Sequence, residues 1–421
     1  MTKVFNAIYV KNREKILSVT LFLYCVIGYL KTSTITNIYY CNSILNILLL
    51  LCAVILCFYL LFDLLNKKFK VTWFLIFGVF CAIGSLIVIH NTIICFFLAF
   101  LYVFKDGDLK KIAKIISYAL LVSLVSVILL SGIGVIETLN GERFNKIRHS
   151  LGFNASTQAS IFFFLYCLLF NFINKEKTPI YVLVLEIVAN VLIYILTDTR
   201  TGFILTFIIV IISIILKIIE NERLKNPEKK DIFLKIKEFF DVEENNKKFS
   251  VIFSLLPIFF NIIFALCIVL YRYNFSPAVF LNSILSNRFY FTMTAFVEKP
   301  MTLFGGFYNW IDSEGMYCGV DSSIYFYLFN WGIIPTIFIL SVLTYVFYKA
   351  FRTRNYWLFI SLVLILFEGM IDRVLFDIRY NVFLLSLIGL NSKMFFGANS
   401  ENKNNKLNKS VKVELKWWKT N

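Results

Sequence analysis

Read for the spacing of apolar and polar positions, the chain is a series of long apolar runs cut by short charged segments. Many runs approach 20 residues, the length of a helix that crosses the hydrocarbon core of a bilayer. The strict alternation of a membrane strand is missing. Spans are predicted at about 16–30, 44–63, 71–89, 91–104, 112–134, 155–173, 179–197, 203–219, 250–271, 322–348, 356–371 and 378–392. The fourth is the shortest, with His90–Asn91 as the tight turn before it. No internal repeat of the kind many transporters carry is visible.

Composition agrees with that pattern. The chain is 59% hydrophobic and only 16% charged, more apolar than a soluble core of 421 residues needs. The predicted class is an all-α polytopic integral membrane protein of about 12 transmembrane helices. Its membrane domain covers 1–396, and a basic, Asn/Lys-rich tail covers 397–421. The first apolar run follows KNREK without a small-residue cleavage site and reads as a retained span. Lys and Arg set the orientation. With the N-terminus inside, 32 of the 42 fall in the inner segments and ten outside, which places both termini in the cytoplasm. That placement also explains the net charge of +16 without nucleic acid. The nine cysteines lie mostly inside predicted spans. Cys41 and Cys318, in outer loops, could form a disulfide. Two histidines and no CxxC leave no metal-ligand spacing. In the inner loop 220–249, Ile232, Phe233, Ile236, Phe239 and Phe240 share one helical face. That is either a helix lying on the inner leaflet or a solvated linker.

The outer loops, 135–154 and 272–321, carry the informative cations. The first loop reads GERFNKIRHSLGF and gathers Arg143, Lys146, Arg148 and His149 just before a helix start at Asn154–Ser156, a place suited to anionic oxygen. A polar loop touching headgroups is the alternative. TDTRTG (Thr197–Gly202) is a hairpin with almost no loop. It either pairs Asp198 with Arg200 or aims Arg200 at a phosphate. Arg288, in LSNRFYF, lies in an apolar run from Leu281 to Phe291. A helix at the outer interface would point it into a site or let it snorkel. Asp372, Arg373, Asp377 and Arg379 come after the eleventh span as lesser candidates that could pair among themselves. Glu368 shares a helix face with Asp372. Glu186, deep in a span, is a site residue or a helix–helix hydrogen bond.

The order of these pieces resembles a family. RHSLGFNASTQAS, then TDTRTG, a charged inner loop, LNSILSNRFYFTMTAF, TLFGGFYNWID and GVDSSIYFYLFNWGIIP together look like the Wzy-type polymerases of O-antigen and capsular repeat units, relatives of the O-antigen ligases. The likeness runs from about Arg143 to Pro335. It implies a helical glycosyltransferase of the C type in the bacterial plasma membrane. Such an enzyme joins oligosaccharides carried on undecaprenyl diphosphate at the outer face, with no nucleotide sugar and no obligatory metal. A chain-length regulator and a flippase would be its neighbours. The arginines carried over are Arg148, Arg200 and Arg288. Ala155 departs from the Asn-Pro-Asn-like turn often found there, and His149 is the candidate for the ligases' catalytic histidine.

The residues support that chemistry on their own terms. The resemblance implies a diphosphate leaving group, and guanidinium groups would stabilise the charge that grows on it. The acceptor hydroxyl needs a base. His149, Asp321, Glu142 and Asp312 are the candidates, in that order. Arg143 and Asp312 are expected at the substrate. So are aromatics from the late loop, Tyr290 and Trp310 above all, with Phe307, Tyr308 and Tyr317; interface anchoring is their alternative. A ligase of the same fold and a flippase remain the rival functions.

Overall fold

In the computed structural model the chain is almost wholly helical, and residues 2–65, 73–105, 107–143, 146–225, 232–306, 308 and 319–389 are described. The helices are α1 (Thr2–Leu30), α2 (Cys41–Leu65), α3 (Trp73–Ile89), α4 (Ile93–Val103) and α5 (Leu109–Gly132). A hairpin of β1 (Asn140–Arg143) and β2 (Lys146–His149) is next. Then come α6 (Ser156–Asn174), α7 (Ile180–Thr197), α8 (Arg200–Lys225), α9 (Ile232–Asp241), α10 (Glu243–Ser254) and α11 (Leu256–Arg272). The last are α12 (Ser276–Ile284), α13 (Arg288–Glu298), α14 (Ser323–Asn330), α15 (Ile333–Arg352), α16 (Tyr356–Gly369) and α17 (Ser386–Gly389).

Among the described residues, seven helical stretches are long and apolar enough to cross a membrane: α2, α5, α6, α7, α8, the α10–α11 stretch Glu243–Arg272, and α15. α3, α4 and α16 are apolar but shorter. Ile47, Leu50, Val54 and Leu61 on α2, and Leu185, Leu192 and Ile195 on α7, are each more than half exposed. A bare apolar belt of this extent suits lipid and not water. The chain is built as a polytopic membrane protein. Its centre is α6, whose Phe162, Phe164 and Leu168 are fully buried. Packing there depends on small residues, as is usual between membrane helices. A Cβ at Gly202 of α8 would stand 2.4 Å from Ser160 Oγ and 3.0 Å from the Ser160 backbone on α6.

Several predicted elements take a different form. The run 322–348 is two helices, α14 and α15, broken at Gly332 (φ +94°). The break exists because another segment packs into it. A Cβ at Gly332 would lie 2.3 Å from Gly305 N, and the amides of Ile333 and Ile334 donate to the carbonyls of Thr302 and Leu303 at 3.0 and 3.1 Å. The first free amides of α15 are thus satisfied, and the Gly305–Gly306 pair is pinned to the bundle. Leu281–Phe291 is likewise not one helix. Ser286 and Asn287 take left-handed backbone (φ 57° and 64°), α12 ends, and α13 starts afresh with Arg288 as its first residue. Asn282 Oδ1 caps the new start by accepting from Phe289 and Tyr290 N at 3.0 and 3.2 Å.

The described part of 378–392 is a 3₁₀ turn, Val382–Leu385, and then α17, not a long helix. Asp377 and Arg379 pair across the loop before it (Nε–Oδ2 2.9 Å), and Arg379 crosses α1 where Gly28 leaves room. The predicted turn at His90–Asn91 is present, with Asn91 Oδ1 accepting from Ile93 N at 2.8 Å. Of the two forms left open for the residues after 230, the helix is the one present, as α9. Its Phe240 packs on Phe249 and Phe351, while Ile236 and Phe239 stay about half exposed. Cys41 is a free thiol; its expected partner Cys318 lies outside the described residues.

Glu186 resolves to a bond between helices. Asn171 Nδ2 on α6 donates to both of its carboxyl oxygens, at 3.0 and 3.3 Å. Glu186→Gln keeps an acceptor there and should leave the melting point in detergent nearly unchanged. Glu186→Leu should cost roughly 0.6–1.7 kcal/mol, the range for polar contacts between membrane helices. A Gln variant that melts normally but loses activity would overturn the structural assignment.

Candidate functional site

The site is assembled at the end of the bundle that holds the β-hairpin. The hairpin is lashed to the end of α1. Thr34 N donates to Gly152 O at 2.9 Å, Thr34 Oγ1 to Glu137 O at 2.7 Å, and Asn154 N to Thr32 O at 2.9 Å. Phe153, fully buried, anchors its base edge-on against Phe162 at 5.3 Å. Within the ladder Arg148 faces Gly141, and His149 faces Asn140. Neighbours on a strand point to opposite sides, so Arg148 and His149 part company. His149 Nδ1 meets Asn140 Oδ1 at 2.8 Å. Arg148 reaches the α7–α8 turn, donating Nε to Thr197 O at 2.8 Å and lying 3.4 Å from Thr199 Oγ1.

That turn is as tight as TDTRTG predicts. Asp198 takes left-handed backbone (φ 47°, ψ 38°), and α8 begins two residues later at Arg200. Arg148 caps the last carbonyls of α7, where a cation is favoured, and so fixes the turn from which Arg200 projects. Among the described residues, no hydrogen bond or ion pair joins Asp198 to Arg200, and the Arg200 guanidinium contacts none of the carboxylates. It lines one end of a groove of 670 Å³ between α8 and α16. Arg200, Ile204, Ile208 and Ile212 line one wall, and Val363, Phe367 and Ile371 are on the other. From Arg200 to Ile212 the groove runs along α8 for about 18 Å.

Ile371 links this groove to the third arginine. Arg288 Nε donates to Ile371 O at 3.2 Å, and its Nη1 pairs with Asp321 Oδ2 at 3.0 Å. Arg288 Nη2 lies 4.0 Å from Asp372 Oδ1. Arg373 holds the other oxygen of Asp321 (Nη2–Oδ1 3.1 Å), donates to Val320 O, and stacks over Phe326 at 4.1 Å. Burial pushes the Asp372 carboxyl up to about 6; Arg288 pulls it down, Asp321 pushes it up, and Arg148 is close enough to add a weaker downward pull. Burial raises Asp321 as well, against the pull of Arg288. It lowers Arg373 to about 10, helped by the charge of Arg288. Arg373 stays protonated at neutral pH all the same.

Arg148 is therefore linked to the turn before Arg200 through Thr199, and Arg288 reaches the groove that Arg200 lines through Ile371 O. Arg143 closes the hairpin opposite Lys146. Tyr290 is exposed and rests on Phe291, two positions along α13 from Arg288. Phe307, Trp310, Asp312 and Tyr317 lie outside the described residues, and Tyr308 packs beside Gly306.

No family model, curated protein or solved structure matches the chain. The site must be read from its own groups.

Three of those groups carry more than their place in the sequence suggests. Arg373 does not pair with Asp372 but clamps Asp321. Asp372 faces Arg288, and Glu368, one turn before it on α16, is fully buried beside it. The signal for them is a cluster of charge, EGMIDR, closing a wholly apolar helix. Among the described residues, Arg288 and Arg373 hold Asp321, and the Arg200 guanidinium faces an apolar groove without a carboxylate partner.

Proposed function

We propose that the protein is a membrane glycosyltransferase that polymerises oligosaccharide repeat units carried on undecaprenyl diphosphate at the outer face of the bacterial plasma membrane. The observation that carries this reading is the position of Arg200, without a carboxylate partner among the described residues, where the α8–α16 groove meets the cluster around Arg148 and Arg288. The groove takes the prenyl chain and the arginines take the diphosphate. Guanidinium groups bind phosphate oxygens bidentately. Held in a site partly closed to water, they stabilise the negative charge that grows as the sugar–diphosphate bond breaks. Arg148 acts through the turn that it caps. Arg288, oriented by Asp321 and Ile371 O, is preorganised at no cost during the reaction. The charged site lies at one end of the bundle and not at its middle, which favours chemistry at a membrane face over transport through it.

The test uses a strain in which the gene is deleted and restored. Loss of the gene should leave glycan one repeat unit long, and restoration should return the ladder of long chains on a gel. Long chains that persist on the lipid carrier after deletion would instead make the protein a ligase. An unchanged ladder would end both readings.

A further inference from the structure

Glu368 and Asp372 form a carboxyl pair with no assigned role. Glu368 is fully buried on α16. Its Oε1 and Oε2, and Asp372 Oδ2, are buried and accept no hydrogen bond from a donor among the described residues. Asp372 N donates to Glu368 O at 2.8 Å, which sets the two side chains one helical turn apart on the same face, close enough for each to shift the other's proton affinity. Two buried carboxyls in contact do not both ionise; one proton shared between them satisfies both and makes them titrate as a pair. Asp321, by contrast, has each oxygen held by an arginine, at 3.0 and 3.1 Å, which makes it a clamp and a poor proton acceptor. With Asp372 Oδ2 turned inward, Oδ1 is the oxygen that faces Arg288, 4.0 Å away. Asp372 keeps 15% of its side chain exposed.

We propose that this pair is the proton acceptor of the transfer, with Asp372 taking the proton of the attacking hydroxyl and Glu368 positioning Asp372. The proposal rests on the glycosyl-transfer reading above. The acceptor sugar's hydroxyl oxygen forms a bond to the anomeric carbon of the donor. The bond from that carbon to the diphosphate breaks, and its electron pair leaves on the diphosphate oxygen. The hydroxyl proton passes to Asp372 Oδ1 and is later released to water. The groups facing Asp372 are Arg288 from α13, Asp321 from the segment before α14, Glu368 from α16, Arg148 from β2 and Tyr380 from the loop after α16. Activity should therefore rise with pH along one acid limb near 6, as Asp372 becomes able to accept a proton.

The experiment uses the full chain in liposomes, with lipid-linked repeat units isolated from a strain lacking the gene. Asp372→Asn should lower kcat by about 100-fold or more, the ordinary contribution of a general base, with KM little changed. Glu368→Gln, which keeps a hydrogen bond to Asp372, should retain most activity. Glu368→Leu should lose roughly tenfold in kcat and move the acid limb upward, since Asp372 then holds its proton more tightly. Elution of each variant as a single species reports folding; if the Asn variant fails it, the Gln and Leu limbs decide. Asp372→Asn working at more than a tenth of the wild-type rate, or a Leu variant with an unmoved limb, would overturn the pair. In both cases wild-type protein still extends the units and the polymerase reading survives. Wild-type protein that extends none of them overturns that reading, and this one with it.

Discussion

Arg200→Ala should abolish polymer synthesis while leaving the fold intact. Removing one preorganised donor from a transition-state site costs roughly 10²–10³ in kcat. The same change should move stability by no more than about 0.5 kcal/mol, as for a surface residue with few ties, because Arg200 touches no carboxylate among the described residues and its turn is held by Arg148 through Thr197 O. That split between activity and stability is the signature of a group kept for a ligand. Arg200→Lys sharpens the test. Lysine keeps the charge but not the planar fork, so it should recover only a small part of the lost rate. Rates with lipid-linked repeat units and melting curves in the same detergent give both numbers. Normal chain lengths from either variant, at normal expression, would remove Arg200 from the site and take the central argument for a diphosphate ligand with it.

The features legible in the sequence are those that local rules control. Apolar runs mark the helices, because a bilayer-length stretch of Leu, Ile and Phe has few other ways to satisfy its backbone. TDTRTG marks a tight hairpin, since no residues are left over for a loop. The bias of Lys and Arg picks out the few cations expected on the opposite side, and three of those, Arg148, Arg200 and Arg288, are linked through Thr199 and Ile371. The features that stay hidden depend on distant partners. Gly332 reads as the interior of a span until Thr302 and Leu303 are seen filling the gap. Asn287 reads as helix until Asn282 is seen capping the start of α13. Arg373 and Asp372 look like natural partners at adjacent positions, yet each turns to a residue about 50 or 80 positions earlier, Asp321 and Arg288. His149 stands first among candidate bases because it is a histidine beside arginines. Strand alternation sends it the other way, to Asn140.

Arg288→Ala should produce the largest combined loss, and the loss of stability should depend on pH. Arg288 neutralises Asp321 directly and lies 4.0 Å from Asp372, with all three side chains at most about a fifth exposed. Stripping the partner from a buried charge costs about 3–5 kcal/mol. Arg373 stays with Asp321, so the lower end applies. The sign comes from Asp372. Its pKa in the folded protein, about 6, lies above the ordinary carboxylate value near 3.9. Its favourable contribution is therefore fully present below roughly pH 3.9 and is lost as pH rises through about 6. Without Arg288 that carboxyl is pushed higher still, and the ionised form costs more. The deficit against wild type should then be greatest above pH 6 and shrink on acidification. Adding Asp372→Asn to Arg288→Ala should return part of the stability at neutral pH and none of the activity, because it removes the stranded charge without restoring the grip on the diphosphate. Melting curves from pH 4.5 to 8 for the wild type and these two variants measure the effect. A deficit equal at both ends of that range would mean that Arg288 is held for packing alone.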